Sequence, residues 1–499
     1  MGFDASVISG VNEFIVVEFQ LTEIMLGWGV SSLTLVAALA MLVAGPISDR
    51  LGRRTVLRYA AILYFISALG SALAPSFFWL VIARMIGGLG VGASLILAPM
   101  YIAEISPAKS RGRMVSFNQL NIVIGISLAF FTNYLILQLG KSDASWANSL
   151  GFAKYNWRWM LGLEALPAIL YFFGLFFVPR SPRWCIMKGQ LMEAQATMSR
   201  LNGSDAAKAE IDKITKALQT EKKKKRGSVF ELFKPALRMV LTIGIVVAVL
   251  QQITGINSVF FYAPMIFKQS GIGTDASMVS AIMVGLVNLA FTVLAMLFID
   301  KLGRKPLLSF GVAGIAVAMF ILSYGFGSAT YTLAEEGIAG LPETIDKTLL
   351  EPIKGTTFSS DIEFKDAMIQ ALGEQDAKKY NSELTAAAIS MNPMLILFAI
   401  LGFVASFAIS IGPVMWVLFS ELFPNTIRGV AVSFVGLINS AVSFLVQLIF
   451  PWELSTLGSA TTYLIYGIFA ILGLIFIIRV IPETKGKSLE ELEAQLVKS

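Results

Sequence analysis

The sequence predicts an all-α protein that crosses a lipid bilayer many times, and three observations carry that prediction. The 499-residue chain is 56% hydrophobic and only 14% charged, with a mean hydropathy of +0.72. That is too little charge to cover a water-soluble surface of this length. Apolar runs of about 20 residues, enough for a helix to cross the hydrocarbon core, recur along the whole chain. Charged signatures in the first half also return, in register, in the second.

The spans can be justified in order. A first helix is predicted near 1–17, and a second near 24–48 ends at the basic turn "DRLGRR" (49–54). The third covers about 55–74. The fourth, 77–103, carries the small-residue run "GGLGVG" (87–92), which on a membrane helix suits close packing better than phosphate binding. The basic "PAKSRGR" (107–113) leads into a fifth span at 113–137, and a sixth follows at 158–178. A polar segment from Arg180 to about Lys234 then intervenes. Spans resume at 236–267 and at 277–299, the latter closed by "DKLGRK" (300–305), and the next covers 306–328. After an acid-leaning insert at 329–391, the last three lie at 393–419, 429–450 and 459–481. The expected organisation is a six-helix bundle (1–179), a linker with short helices (180–235), a second bundle (236–482) and a tail (483–499).

Lys and Arg concentrate in alternate connections: "DRLGRR", "PAKSRGR", the 180–235 segment and "DKLGRK". Basic loops face the cytoplasm, so both termini are expected there, in a cell-membrane protein. This bias explains the formal net charge of +6 without a nucleic-acid partner. "EKKKKRG" (221–227) reads as a solvated linker or a contact for anionic lipid. One cysteine, Cys185, and no histidine leave no internal disulfide, no cysteine metal cluster and no imidazole switch. Proton chemistry therefore falls to carboxylates. With no nucleotide motif or metal-ligand cluster either, an enzyme is not expected, and no cofactor is.

The internal repeat is specific. "EISPAKSRGRMVSF" (104–117) matches "ELFPNTIRGVAVSF" (421–434) with Glu, Pro, Arg, Gly, Val, Ser and Phe at the same spacing. Two parallel six-helix halves joined by a linker suit a transporter that rocks around a central site; a duplicated pore scaffold is the competing reading.

One stretch, "VVAVLQQITGINSVFFYAP" (246–264), is apolar yet carries Gln251, Gln252, Thr254, Asn257 and Ser258. Carboxamides donate and accept without charge, which fits a neutral polyol, although amides in membrane helices also bond neighbouring helices together. On a regular helix Gln252 and Asn257 would point about 140° apart. A break near Gly255 would let them converge. "SIGPVMW" (410–416) supplies a second expected interruption.

With "GFDASVISG" (2–10), "ARMIGGLGVGASLILAPMYIAEISP" (83–107), "QQITGIN" (251–257), "GPVMW" (412–416), "ELFPNTIRG" (421–429) and "PETKG" (482–486) in order, the chain resembles the sugar porters of the major facilitator superfamily. The resemblance covers nearly everything except the insert. It implies two six-helix bundles related by a pseudo-two-fold axis, a monosaccharide or related polyol as substrate, and a protein that works as a monomer. It places the substrate against Gln119, Gln251, Gln252, Asn257, Asn288, Trp416 and Asn439, with Tyr262 a lesser candidate. Asp4 and Arg84 match an acid–arginine pair of proton-coupled members, and Glu164, a further intramembrane acid, is a third candidate for proton coupling; a structural ion pair is the plainer reading. Glu104, Arg111, Arg53, Arg304, Glu421 and Arg428 are expected to hold the cytoplasmic side shut when the outside is open.

Three positions depart from the family pattern. Arg180 stands where an acid is usual, Ser440 replaces a frequent tryptophan, and the first helix is shorter than the family's. Besides proton symport, uncoupled sugar uniport remains open. A sugar sensor would need a signalling extension, and a porter of organic anions would need a further basic residue in the cavity.

Overall fold

The computed structural model describes residues 1–107, 111–202, 207–208, 211–216, 218, 229–424, 427–487 and 491–492, and leaves out the side chains at 111, 112, 202 and 300. The lysine run at 221–227 therefore lies outside the described residues. Among the described residues, eleven helices or helix pairs are long and apolar enough to cross a membrane. The first bundle contains α1 (Gly2–Phe19), α2 (Glu23–Leu51), α3 (Arg53–Ala72), α4 (Phe77–Ile105), α5 (Arg111–Gly140) and the pair α6 (Asn156–Gly162) and α7 (Ala165–Phe177). Two short helices follow, α8 (Pro182–Met187) and α9 (Leu191–Asn202). The second bundle begins with the pair α10 (Arg238–Ile253) and α11 (Ile256–Gln269), then α12 (Thr274–Leu302) and α13 (Arg304–Gly327). It ends with the pair α15 (Pro393–Ile409) and α16 (Ile411–Leu422), α17 (Arg428–Thr456) and α18 (Ser459–Val480).

The twelfth span is α1. Its 18 residues reach about 27 Å, and the 30 residues of α5 about 45 Å, at 1.5 Å per residue. A Cβ on Gly2 would lie 1.9 Å from the Ile122 carbonyl, and one on Gly125 would meet the Phe3 amide at 2.9 Å. Met1 therefore starts beside the middle of α5, inside the bundle.

Close helix contacts use small residues, as in lipid they must. A Cβ on Gly88 would lie 2.5 Å from the Leu33 carbonyl, and one on Gly92 would lie 2.2 Å from that of Ala37. The small-residue run thus lets α4 lie directly on α2. The two bundles meet along α2 with α17, α5 with α12, and α1 with α11. Among the described residues, the bonds between bundles run from mid-depth to the insert face. Thr34 donates to Gln447 Oε1 at 2.9 Å, Ser127 to the Gly285 carbonyl at 3.0 Å, and Asn12 Nδ2 to the Phe261 carbonyl at 2.8 Å. Ion pairs follow nearer the surface: Lys268 with Glu13, and Lys141 with Asp275 at 2.6 Å.

The 329–391 insert is a packed unit that adds a small sheet to an otherwise helical protein. Strands β1 (Thr330–Thr332), β2 (Thr357–Phe358) and β3 (Ile389–Ser390) pair antiparallel in the order β2-β1-β3. Tyr331 stacks on Phe364 of α14 (Asp361–Leu372), with ring centroids 5.4 Å apart. Leu333, Leu350 and Leu384 complete its core. Asp361 accepts the backbone N–H and hydroxyl of Ser459 at the start of α18, both at 2.9 Å. Lys365 pairs with Glu23 of the first bundle at 3.3 Å. The unit therefore straddles both bundles.

The internal repeat is visible as matched charge clusters on the linker face. Arg53 pairs with Glu104 at 3.2 Å, and Ser181 donates to the same carboxylate. In the second bundle Arg304 pairs with Glu421 at 2.8 Å, and Thr484 donates to that carboxylate at 2.6 Å. The match fails at one place. Glu483 accepts the amides of Arg304 and Lys305 at 3.0 and 3.1 Å, filling the N-terminus of α13, a position where an anion is favoured. Its counterpart Arg180 instead pairs with Glu193 at 3.3 Å. The acid missing from the linker motif therefore leaves α3 without the carboxylate that α13 has.

Burial pushes the Glu483 carboxyl up, but the amides of Lys485, Arg304, Lys305 and Thr484 together hold it below the usual glutamate range. Its stabilising contribution is thus present above the unfolded-state value and is lost as pH falls through the lower folded one. Thermal unfolding in detergent should show Glu483→Gln less stable than wild type by about 0.5–1 kcal/mol near neutrality. The difference should vanish below about pH 4; a difference that persists or grows in acid would be inconsistent with this cap.

Candidate substrate and proton site

The polar stretch at 246–264 breaks where the amides require it. Helix α10 ends at Ile253, and α11 starts at Ile256 after Gly255, whose φ of +88° is left-handed. Glycine reaches this region without the Cβ clash other residues suffer. The turn brings Asn257 back over Gln252: Asn257 Nδ2 donates to Gln252 Oε1 at 2.7 Å. Gln252 Nε2 donates to Gln251 Oε1 at 3.1 Å and to Asn439 Oδ1 at 3.2 Å. Asn439 Nδ2 donates in turn to Gln251 Oε1 at 2.8 Å and to the Ala248 carbonyl at 2.9 Å. Gln251 Nε2 reaches the Gly412 carbonyl at 3.3 Å, just past the second break, where α15 ends at Ile409 and α16 starts at Ile411. Four of the seven expected substrate residues form one network.

The other three are arranged around it. Trp416 lies on α16 and is 44% exposed. Its ring comes within 3.7 Å of a Cβ built on Gly436, about one turn from Asn439 on α17. Gln119 on α5 is exposed, and Asn288 on α12 is buried but joins none of these bonds. Tyr262 packs: it is fully buried and donates to the Gln447 carbonyl at 3.0 Å. Ser440 follows Asn439 and is half-buried.

Sequence reasoning missed the continuation of this network. Asn257 also donates to Ser443 at 2.7 Å, Gln447 donates to Ser443 at 2.8 Å, and Thr34 of the first bundle closes the chain on Gln447. Asn439, Ser443 and Gln447 recur every four residues on α17. Such a polar stripe on one helix face is a periodic signal that was available in the sequence.

The three expected proton-coupling residues come together in the first bundle. Asp4, Arg84 and Glu164 are all buried, at 1%, 2% and 5% exposure. Asp4 sits over Gly87, one turn from Arg84, where a Cβ would lie 3.1 Å from Asp4 Oδ2. Among the described residues no N–H or hydroxyl donates to either Asp4 oxygen. Arg84 gives its Nε to the Gly29 carbonyl at 3.0 Å instead. Glu164 stands in the turn between α6 and α7, where one continuous span was expected, and its carboxyl faces Asp4.

The residues expected at the cytoplasmic gate make the following contacts in this conformation. Arg53 with Glu104 and Arg304 with Glu421 pair within their own bundles, and Arg428 donates to the Phe423 carbonyl at 3.1 Å. The Arg111 side chain lies outside the described residues. Bonds that lock the two bundles together through these groups are therefore absent among the described residues in this conformation. The bundles are held instead at mid-depth and on the insert face.

Comparison with known proteins agrees with this architecture. A family model described as "Sugar (and other) transporter" matches residues 2–341 and 376–496. The arabinose-proton symporter of Bacillus subtilis (strain 168) is 35% identical over 501 residues, covering 100% of this chain and 92% of that one. The D-xylose-proton symporter of Escherichia coli (strain K12) is 35% identical over 528 residues, covering 99% and 92%. Among solved structures, the inward open conformation of the xylose transporter XylE from E. coli superposes with a TM-score of 0.74 at 31% identity, covering 99% and 96%. The same symporter bound to 6-bromo-6-deoxy-D-glucose gives 0.67 at 33% identity, with the same coverage. The similarity extends over the whole chain, through both bundles and the breaks at Gly255 and Ser410: this protein belongs to the sugar (and other) transporter family of the major facilitator superfamily.

Proposed function

We propose that this chain is a proton-coupled transporter of a pentose, a hexose or a related polyol, working as a monomer in the cell membrane by alternating access. The linker face is cytoplasmic on this reading. The observation that carries it is the uncharged amide network across the Gly255 break. Its members satisfy one another. A sugar hydroxyl, which both donates and accepts, can replace each of those bonds, so neither state leaves a buried polar group unpaired. Trp416 offers a flat apolar face to the sugar's C–H surface. The family match and the names of the symporting relatives support the same reading.

The conformation described is inward-facing on this reading: the bundles are tied from mid-depth to the insert face, while Gln119 and Trp416 remain exposed. Arg84 is engaged with the Gly29 carbonyl rather than with Asp4. Two carboxyls that face each other in so buried a place cannot both carry charge at acceptable cost, so a proton is held by the Asp4–Glu164 pair in this state. Pairing with Arg84 in the other state would displace it. Glu164, facing Asp4, disfavours a second negative charge beside it. Arg53, Arg304, Glu421 and their neighbours would meet across the bundles only when the insert side opens.

Uptake of labelled D-xylose, L-arabinose and D-glucose in transport-deficient cells, with and without a protonophore, tests the reading. Accumulation of one sugar that collapses with the protonophore is expected. Asp4→Asn should abolish accumulation yet spare exchange of sugar across the membrane; unchanged accumulation would remove Asp4 from the coupling. Gln252→Leu should raise the KM about tenfold or more, because it deletes a ligand and strands the partner amides. A KM unmoved by that change would place the sugar elsewhere.

A further inference from the structure

Behind the amide network, α18 presses a buried tyrosine against the helix break. A Cβ on Gly255 would lie 2.6 Å from Cδ2 and Cε2 of Tyr466, so ring and backbone touch where the chain turns. The Tyr466 hydroxyl donates to Glu453 Oε2 on α17 at 2.7 Å. The ring stacks on Phe450 with centroids 6.3 Å apart, and Phe450 packs on Tyr262 at 5.3 Å. Tyr262 is also where α11 leaves helical geometry, at φ −122° and ψ 15°. Both irregularities of α11 therefore rest on one aromatic layer, and Asn257 lies between them. Fully buried Ser258 turns its hydroxyl toward the same phenol.

Space filling alone explains an aromatic stack. It does not explain why this ring abuts the one residue with left-handed geometry in the site, or why its hydroxyl is tied to α17. The bond to Glu453 holds the ring by its far end. It fixes the ring against sliding along its own plane. Released by even a fraction of an ångström, the ring would no longer define where Gly255 turns, and Asn257 would lose its register with Gln252.

We propose that Tyr466, held by Glu453, is a positioning residue for the sugar site: it sets the geometry of the Gly255 break and, through it, the place of Asn257. The inference rests on the sugar-site reading above, though Tyr466 joins none of the site's hydrogen bonds. It deepens that reading by adding two residues outside the amide network.

The test is transport kinetics in the full chain with labelled D-xylose, L-arabinose and D-glucose. Tyr466→Phe keeps the ring and removes its anchor. It should raise KM about threefold to tenfold, the scale of one lost hydrogen bond, and leave the maximal rate within about twofold. Glu453→Gln, whose amide carbonyl still accepts from the phenol, should restore near-normal KM. Glu453→Leu should reproduce Tyr466→Phe, and the double variant should add little. Unchanged KM in Tyr466→Phe, or loss of accumulation in Glu453→Gln, would overturn the proposal. A wild type that moves none of these sugars counts against the functional reading instead. Hydrogen exchange over residues 254–262 then decides the positioning: faster exchange in Tyr466→Phe but not in Glu453→Gln upholds it, and equal exchange in all three overturns it.

Discussion

Inside a membrane bundle, a hydrogen-bonding group that finds no partner costs several kcal/mol, because no bulk water is available to replace one. The centre of this protein is organised by that constraint. A cluster of amides cannot be placed on one straight helix so that all of them converge, since their directions follow the 100° step. Gly255, at φ +88°, breaks the helix and solves both problems together. It turns Asn257 onto Gln252, and the released stretch bonds to α17 and to the start of α16. Satisfying the polar groups and shaping the ligand site are the same structural event.

The arrangement of charges follows from the same cost. Asp4, Arg84 and Glu164 are kept apart from the amide network, in the other bundle, so the network itself carries no formal charge. The two bundles are joined at their interface, where Thr34 and Asn12 of the first bond to Gln447 and the Phe261 carbonyl of the second. Phe261 lies on α11, which begins at the break. A shift of the acid-bearing helix α1 is therefore felt at the helix that carries Asn257. Contacts of this kind have two discrete arrangements rather than a continuum, which is what coupling between a proton site and a sugar site needs.

Much of this was legible in the sequence. Apolar runs of bilayer length located the spans, and the paired "EISPAKSRGR" and "ELFPNTIRGV" segments revealed the two halves. The incompatible directions of Gln252 and Asn257 pointed to the break. Other features were hidden for physical reasons. The depth at which α1 packs along α5 is encoded by no local pattern. Glu164 was read as part of a continuous helix because Gly162 and Pro167, which flank its turn, are both tolerated within membrane helices. The sheet in the insert rests on strands of two or three residues, too short for alternation to show. Which partner each linker-face charge selects depends on conformation, and the repeat alone could not say that Arg53 and Arg304 pair within their own bundles here.

The central claim is that sugar and proton move together through one bundle pair, and proteoliposomes containing only this protein test it most directly. Sugar added to one side, with no imposed gradient of protons, should drive proton entry with the sugar, read as alkalinisation of the side of addition at a fixed proton-to-sugar ratio. Sugar movement without any accompanying change in pH would contradict it.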